Sequence, residues 1–204
     1  MDISPGPSDL RAAIYAALVE ALAYPTPGWR GRVARRASQV RSLLGAVGEV
    51  PEGFREAARI LEEIALRLRR TSLQRAVFEH GVIFGHSVAG PCTPYEAEYG
   101  ARSEASFAHK IADVAAFYRA FGVVLSPAAA ERPDHLAVEC EFLHFLACKE
   151  SRARERGTPE QVETCRRAQR EFVRSHLACW AGGFAKRFEQ AAEGGALAGL
   201  GRAL

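Results

Sequence analysis

Two short stretches concentrate the side chains of this chain that could do chemistry. One is Pro94-Tyr95-Glu96-Ala97-Glu98-Tyr99 and the other is Glu131-Arg132-Pro133-Asp134-His135. Carboxylates beside aromatic rings suit a cationic peptide, through charge pairing and cation–π contact. The same residues serve helix capping equally well, because Asp134 is a good N-cap and carboxylates favour helix N-termini. On the residues alone both readings stand. A third group, Glu141-x-x-His144, has the i, i+3 spacing that puts two metal ligands on one helix face, with His135 and Glu139 one turn apart nearby. Di-iron bundles need two such motifs and further glutamates, and no second Glu-x-x-His occurs. A helical-bundle metal-binding enzyme using Glu141 and His144 is therefore the alternative, not the leading expectation.

Other chemistries lack their motifs. The sequence has no Gly-x-Ser-x-Gly elbow, Walker loop or Gly-x-Gly-x-x-Gly, so neither a nucleophile nor a nucleotide site is indicated. No catalytic residue and no cofactor are expected. Five cysteines form no Cys-x-x-Cys pair, which speaks against a disulfide framework or a zinc knuckle and for buried, reduced thiols. Arginines cluster at Arg30–Arg41, Arg67–Arg70, Arg152–Arg156 and Arg166–Arg174, punctuated or flanked mostly by Glu62, Glu63, Glu155, Glu163 and Glu171. That is the pattern of solvated helix faces. With 27 basic against 24 acidic residues, a net charge of +3 gives no case for nucleic acid.

The elements that must position these residues read as helices. The chain has 204 residues, 48% hydrophobic and 25% charged, an ordinary globular composition for one domain spanning 1–204. Abundant Ala and Arg lean towards an all-α fold. Ser8 is a candidate cap for a first helix with Leu10, Ile14, Leu18 and Leu22 on its apolar face. A second helix starts near Pro27, and a third runs through Phe54, Leu61, Ile64 and Leu68. A fourth is capped by Thr71 or Ser72. From Gly85 to Arg102 the helical period disappears, and a stretch that long in a compact domain is usually functional. Ser103 begins the next helix, with Phe107, Val114, Phe117 and Tyr118 inward. Asp134 opens another, with Leu136, Cys140, Leu143 and Ala147 on one stripe. Thr158-Pro159-Glu160-Gln161 is a capping box, leading a helix towards Phe188 that Gly182-Gly183 would kink. The tail from Gly194 is a weak short helix. About seven helices result, with no β-hairpin, repeat or linker. No apolar run reaches bilayer length and no secretory signal pattern opens the chain, so a cytoplasmic protein without membrane insertion is expected.

The polar stretches form a familiar set. Phe84-Gly85 followed by Pro94-Tyr95-Glu96-x-x-Tyr99 resembles the first signature of the TorD/DmsD/NarJ family of redox-enzyme maturation chaperones. Glu131-x-Pro133-Asp134-His135-Leu136, then Glu139-x-Glu141-Phe142-Leu143, is similar to the second. Phe172-x-x-x-His176-Leu177-x-x-Trp180 is similar to the third. The resemblance implies a TorD-like helical bundle and a non-catalytic, client-specific chaperone. Its partner would be the apo catalytic subunit of a molybdopterin-dependent oxidoreductase, with that subunit's twin-arginine leader peptide, held during cofactor insertion before export. Glu98-Tyr99-Gly100, Phe117–Gly122 and Lys149-Glu150 look most like the branch serving type II enzymes of the dimethyl sulfoxide reductase family. Carried onto this sequence, the resemblance points to Tyr95, Glu96, Asp134, His135 and Glu139 as peptide-binding residues. Glu96 and Asp134 would face leader arginines, Tyr95 would pack on an apolar or guanidinium surface, and His135 would modulate release by titrating. Phe142, His176 and Trp180 are expected in the core or groove wall. A monomer and a dimer formed by helix exchange both remain open.

Overall fold

The computed structural model describes residues 4–85, 90–100, 103–126 and 131–204. Residues 1–3, 86–89, 101–102 and 127–130 lie outside it. Among the described residues eight α-helices follow one another: α1 (Pro7–Leu22), α2 (Trp29–Ala46), α3 (Glu52–Arg69), α4 (Leu73–Phe84), α5 (Glu104–Ala120), α6 (Leu136–Glu155), α7 (Pro159–Phe172) and α8 (Ala178–Ala191). A π-turn, Val173–Leu177, joins α7 to α8 as one rod, so seven rods make up the all-α architecture. Short 3-10 turns occupy Glu96–Glu98 and Leu200–Ala203.

Helix α1 is the axis of the bundle, packed against α2 and α6, while α3 lies on α2 and α7 on α6. Its leucines are buried as their spacing predicts, but so are Ala12, Ala13, Ala16, Ala17 and Ala21. Alanines leave room for helices to approach from several sides, so a helix with only a modest apolar stripe becomes the most enclosed element. Along α6, Leu136, Cys140, Leu143 and Ala147 are all fully buried. Phe142 of α6 meets Tyr118 of α5 and Phe172 of α7 at ring distances of 4.7 and 5.0 Å.

Helix starts match the expected caps at two places and depart at three. Ser72 and Ser103 accept from the backbone N–H three residues on. Ser8 does not cap α1: Gly6 stands at the N-cap with Pro7 first in the helix, and the Gly6 N–H donates to the Asp9 carboxylate at 2.8 Å. Thr158 precedes α7, but its hydroxyl donates backwards to the Ala153 carbonyl at 3.0 Å instead of closing a capping box. Asp134 is displaced from the N-cap of α6 by His135, whose Nδ1 accepts from the Ala137 N–H at 3.0 Å. Gly182 and Gly183 lie inside regular α8, and the departure from α geometry falls at Val173–Leu177 instead. Gly183 serves close approach, since a Cβ there would meet the Tyr99 ring at 3.2 Å. The thiols of Cys92, Cys140 and Cys165 are buried, whereas Cys148 is half-buried and Cys179 exposed.

A buried carboxylate ties three helices together. Glu150 of α6 accepts from Arg11 of α1, and from Arg166 and Gln169 of α7, the latter two at 2.8 Å. Burial would raise its pKa, but the three donors outweigh that and hold it below the ordinary range. A lowered folded-state pKa means stability that is present above the ordinary carboxylate range and lost as pH falls below it. Glu150→Gln is expected to cost about 2 kcal/mol at pH 7 and to flatten the acid limb of a melting-temperature profile from about pH 5 downwards to about pH 2.5. An unchanged acid limb would show that Glu150 does not carry that pH dependence.

Candidate functional site

The two polar stretches meet. Residues 94–96 lie antiparallel to 134–136, with the Glu96 N–H donating to the Asp134 carbonyl at 2.9 Å and the Leu136 N–H to the Pro94 carbonyl at 2.8 Å. An isolated two-residue bridge is weak on its own, and side chains reinforce it from beneath. The Asp134 carboxylate accepts from the Ala97 N–H at 3.1 Å and from two nitrogens of Arg132 at 2.9 and 2.6 Å. The Arg132 guanidinium, thus fixed, lies over the rings of Tyr95 at 4.3 Å and Phe107 at 4.7 Å. Tyr95 therefore packs on a guanidinium, but on the protein's own.

Above the bridge, the Tyr95 hydroxyl donates to Glu131 at 2.7 Å and its ring meets His135 edge-on at 5.0 Å. Burial and this acidic partner push the tyrosine up to about 12. His135 has its pKa lowered, chiefly by burial. Because its Nδ1 accepts a hydrogen bond as the α6 cap, the ring is neutral with its proton on Nε2, towards Glu131 at 4.0 Å.

Beneath the bridge the three motifs converge on a buried polar layer. Glu96 and His176 are each 3% exposed, and Asp134 and Glu139 are fully enclosed. His176 Nδ1 stands 3.2 Å from one Glu96 oxygen, and Lys110 of α5 lies 3.9 Å from the other. Glu139 is different. Among the described residues neither of its oxygens has a hydrogen-bond partner, and neither does the indole N–H of Trp180. Burial, then the charge of Glu96, raises the Glu139 pKa well above the ordinary range, and neighbouring Trp180 tempers the shift only in part.

Of the five residues expected to contact a peptide, Tyr95 and His135 line an open groove of about 600 Å³. Glu96, Asp134 and Glu139 stand behind it, turned into the fold. Their burial corrects the expectation that Glu96 and Asp134 face an arginine directly. The carboxylates that do line the groove are Glu131 and Glu141. The far wall comes from the end of α1 and from α4: Val19, Leu22, Tyr24, His80 and Phe84. Tyr24 is 58% exposed, and His80 packs against it at 5.2 Å and against Phe84 at 4.5 Å. Burial lowers the His80 pKa as well.

Tyr24 and His80 escaped the sequence reading because no motif contains them. The one available signal was Tyr24 directly before Pro25, an aromatic ring left at a helix end. Glu141 was visible but read with His144, and the structure gives the two different surroundings: Glu141 lines the groove while His144 Nδ1 sits 2.9 Å from the Ala12 carbonyl of α1. Among the described residues no group of three or more His, Cys, Asp or Glu is placed to hold a metal. Phe142, His176 and Trp180 are buried, as expected.

Comparison with known proteins gives a family match that spans all three motifs. The family described as nitrate reductase delta subunit matches residues 48–186. The chain is 42% identical over 73 residues to a selenate reductase assembly chaperone protein of Thauera selenatis, covering 36% of this chain and 37% of that one. It is 38% identical over 71 residues to a perchlorate reductase assembly chaperone protein of Dechloromonas aromatica (strain RCB), covering 34% and 30%. Against a chlorate reductase assembly chaperone protein of Ideonella dechloratans it is 40% identical over 73 residues, covering 36% and 37%. The chain thus spans between 30% and 37% of the length of these curated relatives.

Proposed function

Because the chain belongs to the nitrate reductase delta subunit family, we propose that it is a client-specific chaperone for the catalytic subunit of a molybdopterin-dependent oxidoreductase. It binds the apo subunit in the cytoplasm, by its N-terminal leader, and releases it after cofactor insertion. It does no chemistry on its client. The relatives named for selenate, perchlorate and chlorate reductases support a client of the type II dimethyl sulfoxide reductase branch. Among the described residues no helix is long and apolar enough to cross a membrane, which agrees with this setting.

The groove between α1, α4 and the start of α6 carries the reading. It offers what an arginine-bearing, otherwise apolar leader asks for: the carboxylates Glu131 and Glu141, the rings of Tyr24, Tyr95 and Phe84, and an apolar edge from Val19 and Leu22. In this proposal Glu131 and Glu141 meet the leader arginines. Asp134 acts from behind, by holding the bridge that sets Tyr95 and His135 in place, and Glu96 and Glu139 stand in the buried layer beneath it.

Calorimetric titration with a twin-arginine leader peptide, beside a control with both arginines changed to lysine, tests it. Lysine keeps the charge but loses the planar fork. Micromolar or tighter binding is expected, weakened about tenfold in the control and again in Glu131→Gln with Glu141→Gln. No binding to either peptide would remove the leader from the proposal.

The pH dependence has a definite sign. His80 and His135 are held neutral by burial, and burial also raises the Glu141 pKa. As pH falls below the ordinary imidazole range, from about 6.5 towards about 4.5, the groove gains positive charge on the histidines and loses negative charge on Glu141, so affinity for an arginine peptide is expected to fall. Binding that strengthens over this range would contradict the assignment of those groups to the contact surface.

A further inference from the structure

The helix rod that carries the third motif has a second face, remote from the groove. Arg166, Arg170 and Arg174 follow at four-residue spacing along α7 and the π-turn, about 6 Å apart along the axis. Arg11 of α1 joins them around a cavity of about 580 Å³ whose apolar lining is Tyr15, Val173 and Ala178. Arg11 and Tyr15 also line a narrower chamber of about 280 Å³, walled by Ile14, Leu18, Phe54 and Leu177. Neither cavity shares a lining residue with the groove.

Each of these four arginines has an internal carboxylate partner, and the partners differ in kind. Arg11 and Arg166 converge on buried Glu150, which fixes them. Arg170 and Arg174 pair at 2.6 Å with Glu163 and Glu171, which are 60% and 47% exposed and do not line the cavity. Exposed pairs of this sort contribute little in water, so these two guanidinium groups exchange one carboxylate for another at small cost.

We propose that this face docks an acidic peptide segment, its carboxylates along the arginine stripe and an apolar side chain in the chamber behind Arg11 and Tyr15. The shape of the charge selects a peptide. A free phosphate would call for cations converging on one point, whereas these are strung along a helix. An oligonucleotide supplies spaced charge but no apolar side chain for the chamber. The site is independent of leader recognition and would operate beside it.

The test uses the full chain and a fluorescein-labelled, acetylated and amidated peptide repeating Leu-Glu-Glu-Glu, followed by fluorescence polarisation. Saturable binding is expected, weakened about tenfold or more by Arg170→Glu with Arg174→Glu. Repeating Leu-Gln-Gln-Gln should abolish binding, and Ser-Glu-Glu-Glu should weaken it. Both substituted positions are exposed, and Arg170→Gln with Arg174→Gln serves as a second variant should the charge reversal unfold. A twin-arginine leader should not displace the acidic peptide, so failure of the leader model leaves this result untouched. No binding, equal binding by the double variants, equal binding of the serine peptide or of a single-stranded oligonucleotide, or displacement by the leader would each overturn the proposal.

Discussion

Glu139→Gln is expected to raise the melting temperature at pH 7.5 and to change it little near pH 4.5. The side chain is fully enclosed, and among the described residues its oxygens have no hydrogen-bond partner. Burial and the neighbouring Glu96 charge raise its folded-state pKa. A raised folded-state pKa contributes stability that is complete below the ordinary carboxylate range and is lost as pH climbs towards the shifted value. Glutamine is neutral throughout and escapes that loss. Each pH unit in the window is worth about 1.4 kcal/mol, or roughly 3–6 °C in a domain of this size. Melting curves for both proteins across pH 4.5 to 8 give the comparison, with the gap widening upward. A constant destabilisation by glutamine across the range would mean that Glu139 is ionised and held by partners, and the assignment would fail.

Asp134→Asn, a substitution of the same chemical kind five residues earlier, is expected to do the opposite. Asp134 is equally enclosed, but its oxygens accept from the Ala97 N–H and from two Arg132 nitrogens. Asparagine must turn its amide nitrogen towards one of those donors and leaves the guanidinium only its longer contact with Glu98 at 3.3 Å. Losing a charged hydrogen-bonded partner of a guanidinium that is 27% exposed costs about 2 kcal/mol. The loss should reach the groove, because Arg132 is the surface on which the Tyr95 ring rests. Chemical denaturation would report the stability, and titration with the leader peptide would report a weaker groove. A double-mutant cycle with Arg132→Gln should then show strong coupling, since either change alone breaks the same pair. A loss under about 1 kcal/mol, or groove affinity that survives intact, would show that Asp134 does not hold the site in place.

These two carboxylates show what was legible in the sequence and what was not. The helices were, because Leu136, Cys140, Leu143 and Ala147 repeat at helical spacing and all are buried. So was the concentration of polar side chains in 94–99 and 131–135, two stretches that the fold brings together. The direction in which their side chains point was not. A carboxylate next to an aromatic ring reads as a surface for cations, and nothing local says that Glu96 will meet His176, 80 positions on. That contact depends on the antiparallel bridge and on the rod of α7 and α8 crossing behind it. Asp134 was displaced from its cap for a similar reason: His135 supplies an acceptor one residue later, which frees the carboxylate for Arg132. Tyr24 and His80 were invisible because they become wall residues only once the chain leaving α1 meets α4.

The bridge between 94–96 and 134–136 is made by main-chain atoms, and the platform beneath it by Asp134 and Arg132. Neither depends on what projects above. Position 95 and position 131 are therefore free to vary without rebuilding the junction, while position 135 needs only a side-chain acceptor to cap α6, as Asn, Asp or Ser would supply. The groove mouth behaves as an exchangeable reading head on a constant mount. On the proposed reading of the groove, a library at these three positions should yield variants with altered peptide preference and little change in stability.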